Sequence, residues 1–459
     1  MGAHPRRNGD VSFWDASLAA PLPRPALDGD RGADVCIVGA GFTGLWTAYH
    51  LVRARPELDV VVLERERVGF GASGRNGGWL TPALAAPPAA GPATAATARR
   101  AMHESVADVL AVCAHEQIAC DALAGGVLRF AGNAAQTARL RAQVAAAHDE
   151  DELVALDAAA LAARVRVAGA RAATWSPHGV RIQPAKLARG LAEAAERRGV
   201  RIYERTTARE LRACAPGTDR AVALTDRGAV RAPVVLRCLE GFTAGLRGER
   251  RTLLPLTSAM LVTQPLPDDA WAAIGWERAE LLGDAAHAFL YAQRTADGRI
   301  ALGGRGTYRY GSRSDRRGRV ERRTVAWLAA RLRELFPAAA DAAIDHAWCG
   351  VIGVARDWTA AVHFDPRSGL GDAGAYVGYG VGSANLAGRT LRDLVLGQES
   401  ELTRLPWVGH STRRWEPEPL RWLGATGIAA LYRAADRREA AGSARTSRLA
   451  RAADLIAGR

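Results

Sequence analysis

Asp34-Val35-Cys36-Ile37-Val38-Gly39-Ala40-Gly41-Phe42-Thr43-Gly44 decides how this chain is read. An apolar strand runs straight into G-x-G-x-x-G, and Leu45 to Val52 continues as a helix. A second apolar run, Val60-Val61-Val62-Leu63, closes on Glu64. Strand, glycine turn, helix, strand and acid together make a complete dinucleotide fingerprint. In it Gly39 makes the tight turn, Gly41 lets the backbone approach a pyrophosphate, and Gly44 lets helix and strand pack closely. Phe42 and Thr43 open the helix, whose N-terminus offers free N–H groups and a positive dipole end to phosphate. Glu64, followed by Arg65, is placed to accept hydrogen bonds from a ribose diol.

At 459 residues the chain exceeds one average domain, so two domains are expected. A net charge of +13 invites a nucleic-acid reading. Its source argues against one. Lys186 is the only lysine, and the arginines are dispersed among Asp and Glu rather than clustered. The six cysteines form no C-x-x-C pair and no His spacing completes a metal site, so no metal is expected and the composition reads as a reducing cytoplasm. No apolar run is long enough for a membrane span. Arg6-Arg7 is followed by polar Asn8-Gly9-Asp10, which excludes a twin-arginine leader.

Along the chain, residues 1–32 read as an extended arm packed by Phe13-Trp14, and 83–95 as an Ala/Pro-rich, weakly structured stretch. Residues 97–147 read as helical, 187–198 as a helix, and 200–203, 221–224 and 233–238 as strands. The alternation across 253–310 predicts an antiparallel sheet; 320–336 predicts a helix, 375–379 a strand, and 384–396 a helix. The expected fold is therefore α/β (α+β overall): a discontinuous Rossmann-type domain with a parallel sheet (33–95 with 150–250 and 345–400), and an inserted antiparallel-sheet substrate domain (251–344, with a helical part at 96–149). Residues 401–459 form a C-terminal extension whose tail, 428–459, is read as helical.

Two further glycine-rich segments carry chemistry. The loop Gly69-Phe70-Gly71-Ala72-Ser73-Gly74-Arg75-Asn76-Gly77-Gly78 leaves the second strand where ligands collect on a doubly wound sheet. Tyr379-Gly380-Val381-Gly382-Ser383-Ala384-Asn385-Leu386 is a strand-to-helix junction far down the chain. A helix N-terminus there would stabilise negative charge, such as that on the N1–C2=O edge of a reduced flavin. Three glycine devices split between distant parts of the chain suit the longer FAD better than NAD.

This arrangement resembles the D-amino-acid oxidase superfamily of flavoproteins, the glycine and sarcosine oxidase relatives. The loop Gly71 to Gly78, the segment Gly350 to Trp358 and the run Ala296 to Gly306 look most like the branch containing gamma-glutamylputrescine oxidase. The resemblance implies that Gly39, Gly41, Gly44 and Glu64 hold the ADP half, with Ala208 touching adenine through its backbone. It implies that Ser73, Arg75, Asn76 and Gly77, next to Gly78, border the pyrophosphate and isoalloxazine. Gly353, Arg356, Gly382, Ser383 and Asn385, with Gly380 and Leu386 beside them, would surround the pyrimidine ring. The reaction it implies is oxidation of an amine or amino acid: hydride moves from the carbon next to nitrogen to flavin N5, the imine hydrolyses, and dioxygen or another acceptor reoxidises the flavin.

Candidates for the substrate side are Tyr291, Arg305 and Tyr308, with Arg294, Tyr310, Trp348 and Tyr379 as further lining; an arginine would clamp a carboxylate in two-pronged fashion. Sarcosine-oxidase relatives place a lysine over the flavin, whereas the sole Lys186 follows Gln183-Pro184-Ala185 at a helix start. Oxidase and dehydrogenase readings both stand. Covalent attachment through a cysteine is not expected, because Cys349 is displaced by one residue from the corresponding segment. The competing readings are a tRNA-modifying flavoprotein of the same fold and a flavin-binding protein without turnover.

Overall fold

The computed structural model describes residues 4–84, 91–312 and 317–458. Its first sheet is built around the fingerprint. Six strands lie in the order Arg201–Tyr203, Val60–Leu63, Val35–Val38, Val234–Arg237, Leu370–Gly374, Ala361–Asp365. The first five run parallel and Ala361–Asp365 pairs antiparallel at the edge. Val35–Val38 and Val60–Leu63 are buried at every position, which is why both read as unbroken apolar runs rather than alternating ones. The helix Phe42–Ala54 is buried from Phe42 to Val52, packed between helices Pro184–Arg197 and Gly380–Val395. Helices thus cover one face of the parallel sheet, the other packs on the strands Ala221–Thr225 and Ala229–Ala232 of a separate four-stranded sheet, and the fold class is the mixed α/β one expected.

The second sheet has ten strands and lies beyond the loop that leaves Val60–Leu63. Leu254–Thr263 pairs along its length with Ile344–Val354, and Ile300–Gly304, Leu290–Arg294 and Leu281–Asp284 extend it antiparallel. Helix Arg322–Leu335 packs Val325, Leu328, Ala329 and Leu332 on one face. The other face turns toward the 73–79 loop: Tyr291 lies against Gly77, Gln293 Nε2 donates to the Gly77 carbonyl at 2.5 Å, and Trp348 Nε1 donates to the Arg75 carbonyl at 2.9 Å.

Several expectations are altered. The 97–147 stretch is not one helical run. Helix Pro92–His115 ends, Val127–Ala131 enters the ten-stranded sheet, and helix Ala134–Ala145 follows behind an Asn133 cap. The alternating Val127-Leu128-Arg129-Phe130, set between Gly125-Gly126 and Gly132-Asn133, carries the strand signal. Of the Ala/Pro-rich 83–95 stretch, residues 85–90 lie outside the described residues, and 92–95 already belong to the helix. Residues 375–379 are not a strand. The strand is Leu370–Gly374, and Ala375 and Val377 carry positive φ in the loop after it. By sheet membership Val154–Asp157, Ala172–Ser176 and Ile344–Val354 belong to the ten-stranded sheet, although the sequence set the first two, and the last from residue 345 on, in the dinucleotide domain.

The N-terminal arm packs as read. Phe13 and Trp14 are buried against Trp348, and Arg7–Asn8 adds a strand beside Ile344–Val354. The extension folds as helices Leu420–Ala440 and Arg448–Ala457, which pack on each other. It is held to the body by Glu439, fully buried, which accepts from Arg139 Nη1 and the Ser447 amide, both at 2.9 Å, and pairs with His287 Nε2 at 2.9 Å. Among the described residues, no helix is long and apolar enough to cross a membrane.

Candidate functional site

A cleft opens at the C-terminal edge of the parallel sheet, where the strand ends converge. The fingerprint forms one wall: Gly39, Gly41, Phe42 and Thr43 line it, with Glu64 and Arg65 after the second strand. The backbone here has no room for side chains. Gly39 sits at φ +112, and a Cβ there would collide with the Cys238 carbonyl oxygen. A Cβ on Gly44 would collide with the Gly39 carbonyl oxygen and lie 3.1 Å from Ile37 Cγ2. Gly44 therefore works behind the cleft, letting the helix close on the strand, and is not itself a wall.

Glu64 is half-buried in the cleft. Its Oε2 accepts from the Ala40 amide at 3.0 Å and its Oε1 from the Glu66 amide at 2.9 Å. Burial pushes its carboxyl above the usual range, against those two bonds. Each oxygen keeps a further lone pair for a ligand hydroxyl. Ser73 Oγ accepts from the Phe42 amide at 2.8 Å, which ties the glycine-rich loop to the helix start. Asn76 folds back on that loop: Nδ2 donates to the Ala72 and Ser73 carbonyls at 3.1 and 2.9 Å, and Oδ1 accepts from the Gly78 amide. Thr206, Thr207, Ala208 and Arg209 line the same cleft.

The distant glycine junction reaches this cleft. Gly378, Gly380, Val381 and Ala384 complete its wall together with Tyr376, whose hydroxyl lies 3.1 Å from Thr43 Oγ1. The two backbone cradles, more than 330 residues apart in sequence, are thus bridged by one hydrogen bond. Helix Gly380–Val395 starts at the cleft and presents its positive end there. Ser383 in its first turn is buried, and its Oγ has no hydrogen-bond partner among the described residues.

Other expected residues are placed elsewhere. Asn385 turns away from the cleft: its amide contacts Ser105 Oγ at 2.8 Å and Asp108 Oδ2 at 2.7 Å, and Leu386 is in the core. Gly382 lets the helix approach the Thr81 carbonyl. Arg75 is buried, with Nε donating to the Phe70 carbonyl at 2.6 Å and Nη1 to the Cys349 carbonyl at 3.3 Å, so it braces the loop against Ile344–Val354. Gly77 and Gly78 meet Tyr291 and Gln293 on the neighbouring sheet. Gly353 lies against Glu240 and Gly241 at the end of its strand. Arg356 points to the C-terminal extension, with Nε 3.1 Å from Glu416 Oε1 and Nη1 donating to the Ala457 carbonyl at 3.0 Å.

The substrate-side set divides. Tyr291 faces the loop, edge-on to Trp79, with its hydroxyl 3.0 Å from Ser258 Oγ. Burial pushes this phenol up to about 12 despite the Ser258 bond, so it is neutral at physiological pH. Arg305 and Tyr308 are not beside it. Arg305 donates to the His287 carbonyl at 2.7 Å and stacks over Tyr432; the Tyr308 hydroxyl donates to Glu418 Oε1 at 2.5 Å. Strand alternation would carry Arg305 onto the face of Gly303, but the strand ends at Gly304, and the register against Leu254–Thr263 has shifted by one residue where Thr307–Tyr308 resumes the same antiparallel pairing. Of the further lining, Trp348 is buried against Phe13 and Trp14, Arg294 donates to the Trp276 carbonyl at 2.8 Å, Tyr310 stands exposed beside Trp422, and Tyr379 is exposed at the junction. Lys186 pairs with Asp121 at 2.7 Å. Cys349 is buried in the core under helix Arg322–Leu335.

Glu240, Phe242 and Tyr376 line the cleft and were missed by sequence reasoning. A signal existed for Glu240: it follows the apolar strand Val234–Arg237 at the same sheet edge that drew attention to the loop after Glu64.

A family model described as FAD dependent oxidoreductase matches residues 34–394. The chain belongs to this family of FAD-dependent oxidoreductases. It is 30% identical over 424 residues to gamma-glutamylputrescine oxidoreductase of Escherichia coli (strain K12), spanning 88% of this chain and 94% of the relative. It is 27% identical over 417 residues to the probable oxidoreductase OrdL of Rhizobium meliloti (strain 1021), spanning 86% and 90%. Among solved structures, glycine oxidase from Geobacillus kaustophilus superposes with a TM-score of 0.68 at 20% identity, covering 83% of this chain and 99% of that one. L-proline dehydrogenase from P. horikoshii superposes at 0.66 and 15% identity, covering 84% and 98%. These two support the fold.

The residues present fit FAD. The glycine turn has no space for a Cβ, the half-buried Glu64 carboxylate lines the cleft with lone pairs to spare, and the helix start at Gly380, Val381 and Ala384 closes the same cleft.

Proposed function

We propose that the protein oxidises an amine or amino acid at the carbon next to nitrogen, with FAD held non-covalently in this cleft. One observation carries the reading: two cradles from opposite ends of the chain line a single cleft at the edge of the parallel sheet. The name of the Escherichia coli relative supports an amine as substrate. When bound, FAD supplies the two-electron acceptor for that oxidation.

The chain's own residues bind, orient and seal. Glu64 would hold the ribose diol and the N-terminus of Phe42–Ala54 the pyrophosphate, while the Phe42 amide, donating to Ser73 Oγ, keeps the glycine-rich loop closed on the helix start. The N-terminus of Gly380–Val395 offers positive potential at the other end of the cleft, which favours added negative charge there. Tyr291, neutral and braced by Ser258, lies against Gly77 and with Trp79 would form the substrate-side surface. No general base is assigned, because an amine bound in its neutral form needs none. Arg305 and Tyr308 act indirectly, by fixing the C-terminal extension beside the ten-stranded sheet. The burial of Cys349 away from the cleft favours a non-covalent cofactor.

The test is aerobic turnover of the purified protein on a panel of amines and amino acids that includes gamma-glutamylputrescine, with imine hydrolysis products and hydrogen peroxide assayed separately. Product with peroxide identifies dioxygen as the acceptor; product only with an added dye identifies a dehydrogenase. No product from any member overturns the proposal.

A further inference from the structure

We propose that Glu240 is the positioning residue that ties together the three segments closing the cleft opposite the fingerprint. The inference rests on the reading of the cleft as the FAD site. Glu240 follows strand Val234–Arg237 and lines the cleft. Its Oε1 accepts from the Gly353 amide at 3.0 Å, and its Oε2 from the Ala375 amide at 2.8 Å. Those amides belong to segments 113 and 135 residues away. The first lies at the end of Ile344–Val354, whose Val351 and Ile352 line the cleft; the second opens the loop that brings Tyr376, Gly378 and Gly380 to it. One carboxyl thus fixes both.

Backbone strain marks the same spot. Glu240, Ala375 and Val377 adopt φ of 47, 63 and 53. None is glycine, and a β-branched residue in the left-handed region is a genuine outlier. Such conformations persist only where surrounding structure holds them, and they cluster at functional sites. Gly374 has no Cβ where one would lie 2.9 Å from Glu240 Oε2, so the carboxyl is accommodated by design of the loop. Without the Glu240 acceptors, the Gly353 and Ala375 amides lose their partners and the strained loop loses its anchor.

The carboxyl is also a titrating group at this position. Its surroundings push it up to about 7, because burial outweighs the bonds from the Gly353, Ala375 and Tyr376 amides. Around it, burial raises the Cys238 thiol and the Tyr376 phenol, which stay neutral; Asp372 is paired with Arg237 and His363. His363 is itself raised by its bond to Asp372. FAD brings two phosphate charges into the same cleft, which disfavours ionised Glu240 further. Binding therefore takes up a proton there, and affinity falls as pH rises through about 7.

The experiment is titration of flavin-stripped, full-length protein with FAD, followed by flavin fluorescence quenching at pH 6 and pH 8, for wild type, Glu240→Ala and Glu240→Gln. Circular dichroism confirms folding; if Glu240→Ala does not fold, Glu240→Gln alone is read. Expected is a loss of roughly tenfold in affinity for Glu240→Ala at pH 6, the effect of leaving buried amides unpaired. Glu240→Gln, which keeps one acceptor oxygen, recovers part of the loss and shows no weakening between pH 6 and pH 8, whereas wild type weakens. His363 titrates in all three proteins, so a weakening shared by Glu240→Gln overturns the inference. So does wild-type affinity in Glu240→Ala. A wild-type protein that takes up no FAD overturns the reading of the cleft itself, a result distinct from either.

Discussion

Replacing Gly44 by alanine sets two opposed effects against each other, and the structure decides between them. Inside a helix, alanine is favoured over glycine by about 1 kcal/mol. At Gly44 the added Cβ would strike the Gly39 carbonyl oxygen and sit 3.2 Å from its carbonyl carbon and 3.1 Å from Ile37 Cγ2. Two of those atoms belong to the backbone of the turn and cannot rotate away. The helix Phe42–Ala54 must back off by roughly an ångström, an overpacking cost of about 1–3 kcal/mol in a close-packed core. The clash outweighs the propensity gain, and the same movement draws the Phe42 amide from Ser73 and the helix start from the cleft. Gly424→Ala is the internal control. It lies in helix Leu420–Ala440 with nothing within 4 Å of the added Cβ, so only the propensity gain, about 0.5–1 kcal/mol, applies. Thermal melts and the flavin-to-protein ratio of both variants read the outcome: Gly44→Ala melts lower and loses flavin, Gly424→Ala melts slightly higher and keeps it. A Gly44→Ala protein that melts at or above wild type with full flavin would refute this account of the turn.

Three further outcomes are expected. Glu64→Ala removes the acceptor of the Ala40 and Glu66 amides and of the ribose diol, so flavin affinity drops by roughly 10- to 100-fold; unchanged flavin content after gel filtration would contradict the assignment. Tyr291→Phe removes only the hydroxyl bonded to Ser258, so the fold and flavin content persist while kcat/KM falls; an unchanged kcat/KM would exclude Tyr291 from the substrate side. Glu116 tests acid stability. Burial alone would raise its carboxyl, but bonds from Arg198, Tyr49 and Arg197 outweigh burial and bring it down to about 2. A depressed carboxyl stabilises the fold above its unfolded pKa and loses that contribution as pH falls toward about 2. Glu116→Gln is thus less stable than wild type at pH 7, with the difference shrinking in melts between pH 4.5 and pH 2; a pH-independent difference would contradict the ion-pair account.

The parallel core was legible because its strands are buried on both faces and bounded by glycine turns: Val35–Val38, Val60–Leu63 and Val234–Arg237 each read as short apolar runs. The strand Val127–Ala131 was hidden inside an alanine-rich stretch whose helical periodicity dominated on both sides of it. Near the fingerprint, the residues that line the cleft were readable because its wall there is backbone and glycine marks it. Arg305, Tyr308 and Arg356 were not, because their partners Tyr432, Glu418 and Glu416 come from the C-terminal extension, and no local pattern announces a contact across 60 to 127 residues. Asn385 was drawn away by Ser105 and Asp108 on helix Pro92–His115, a pairing that spacing within the junction motif cannot foresee.

The most direct measurement is anaerobic mixing of the purified yellow protein with the amine and amino-acid panel while the visible flavin band is followed. The account predicts that at least one amine bleaches the band and that the colour returns on adding dioxygen or another acceptor. A protein purified gently yet without flavin, or one whose flavin no amine or amino acid bleaches, would contradict it.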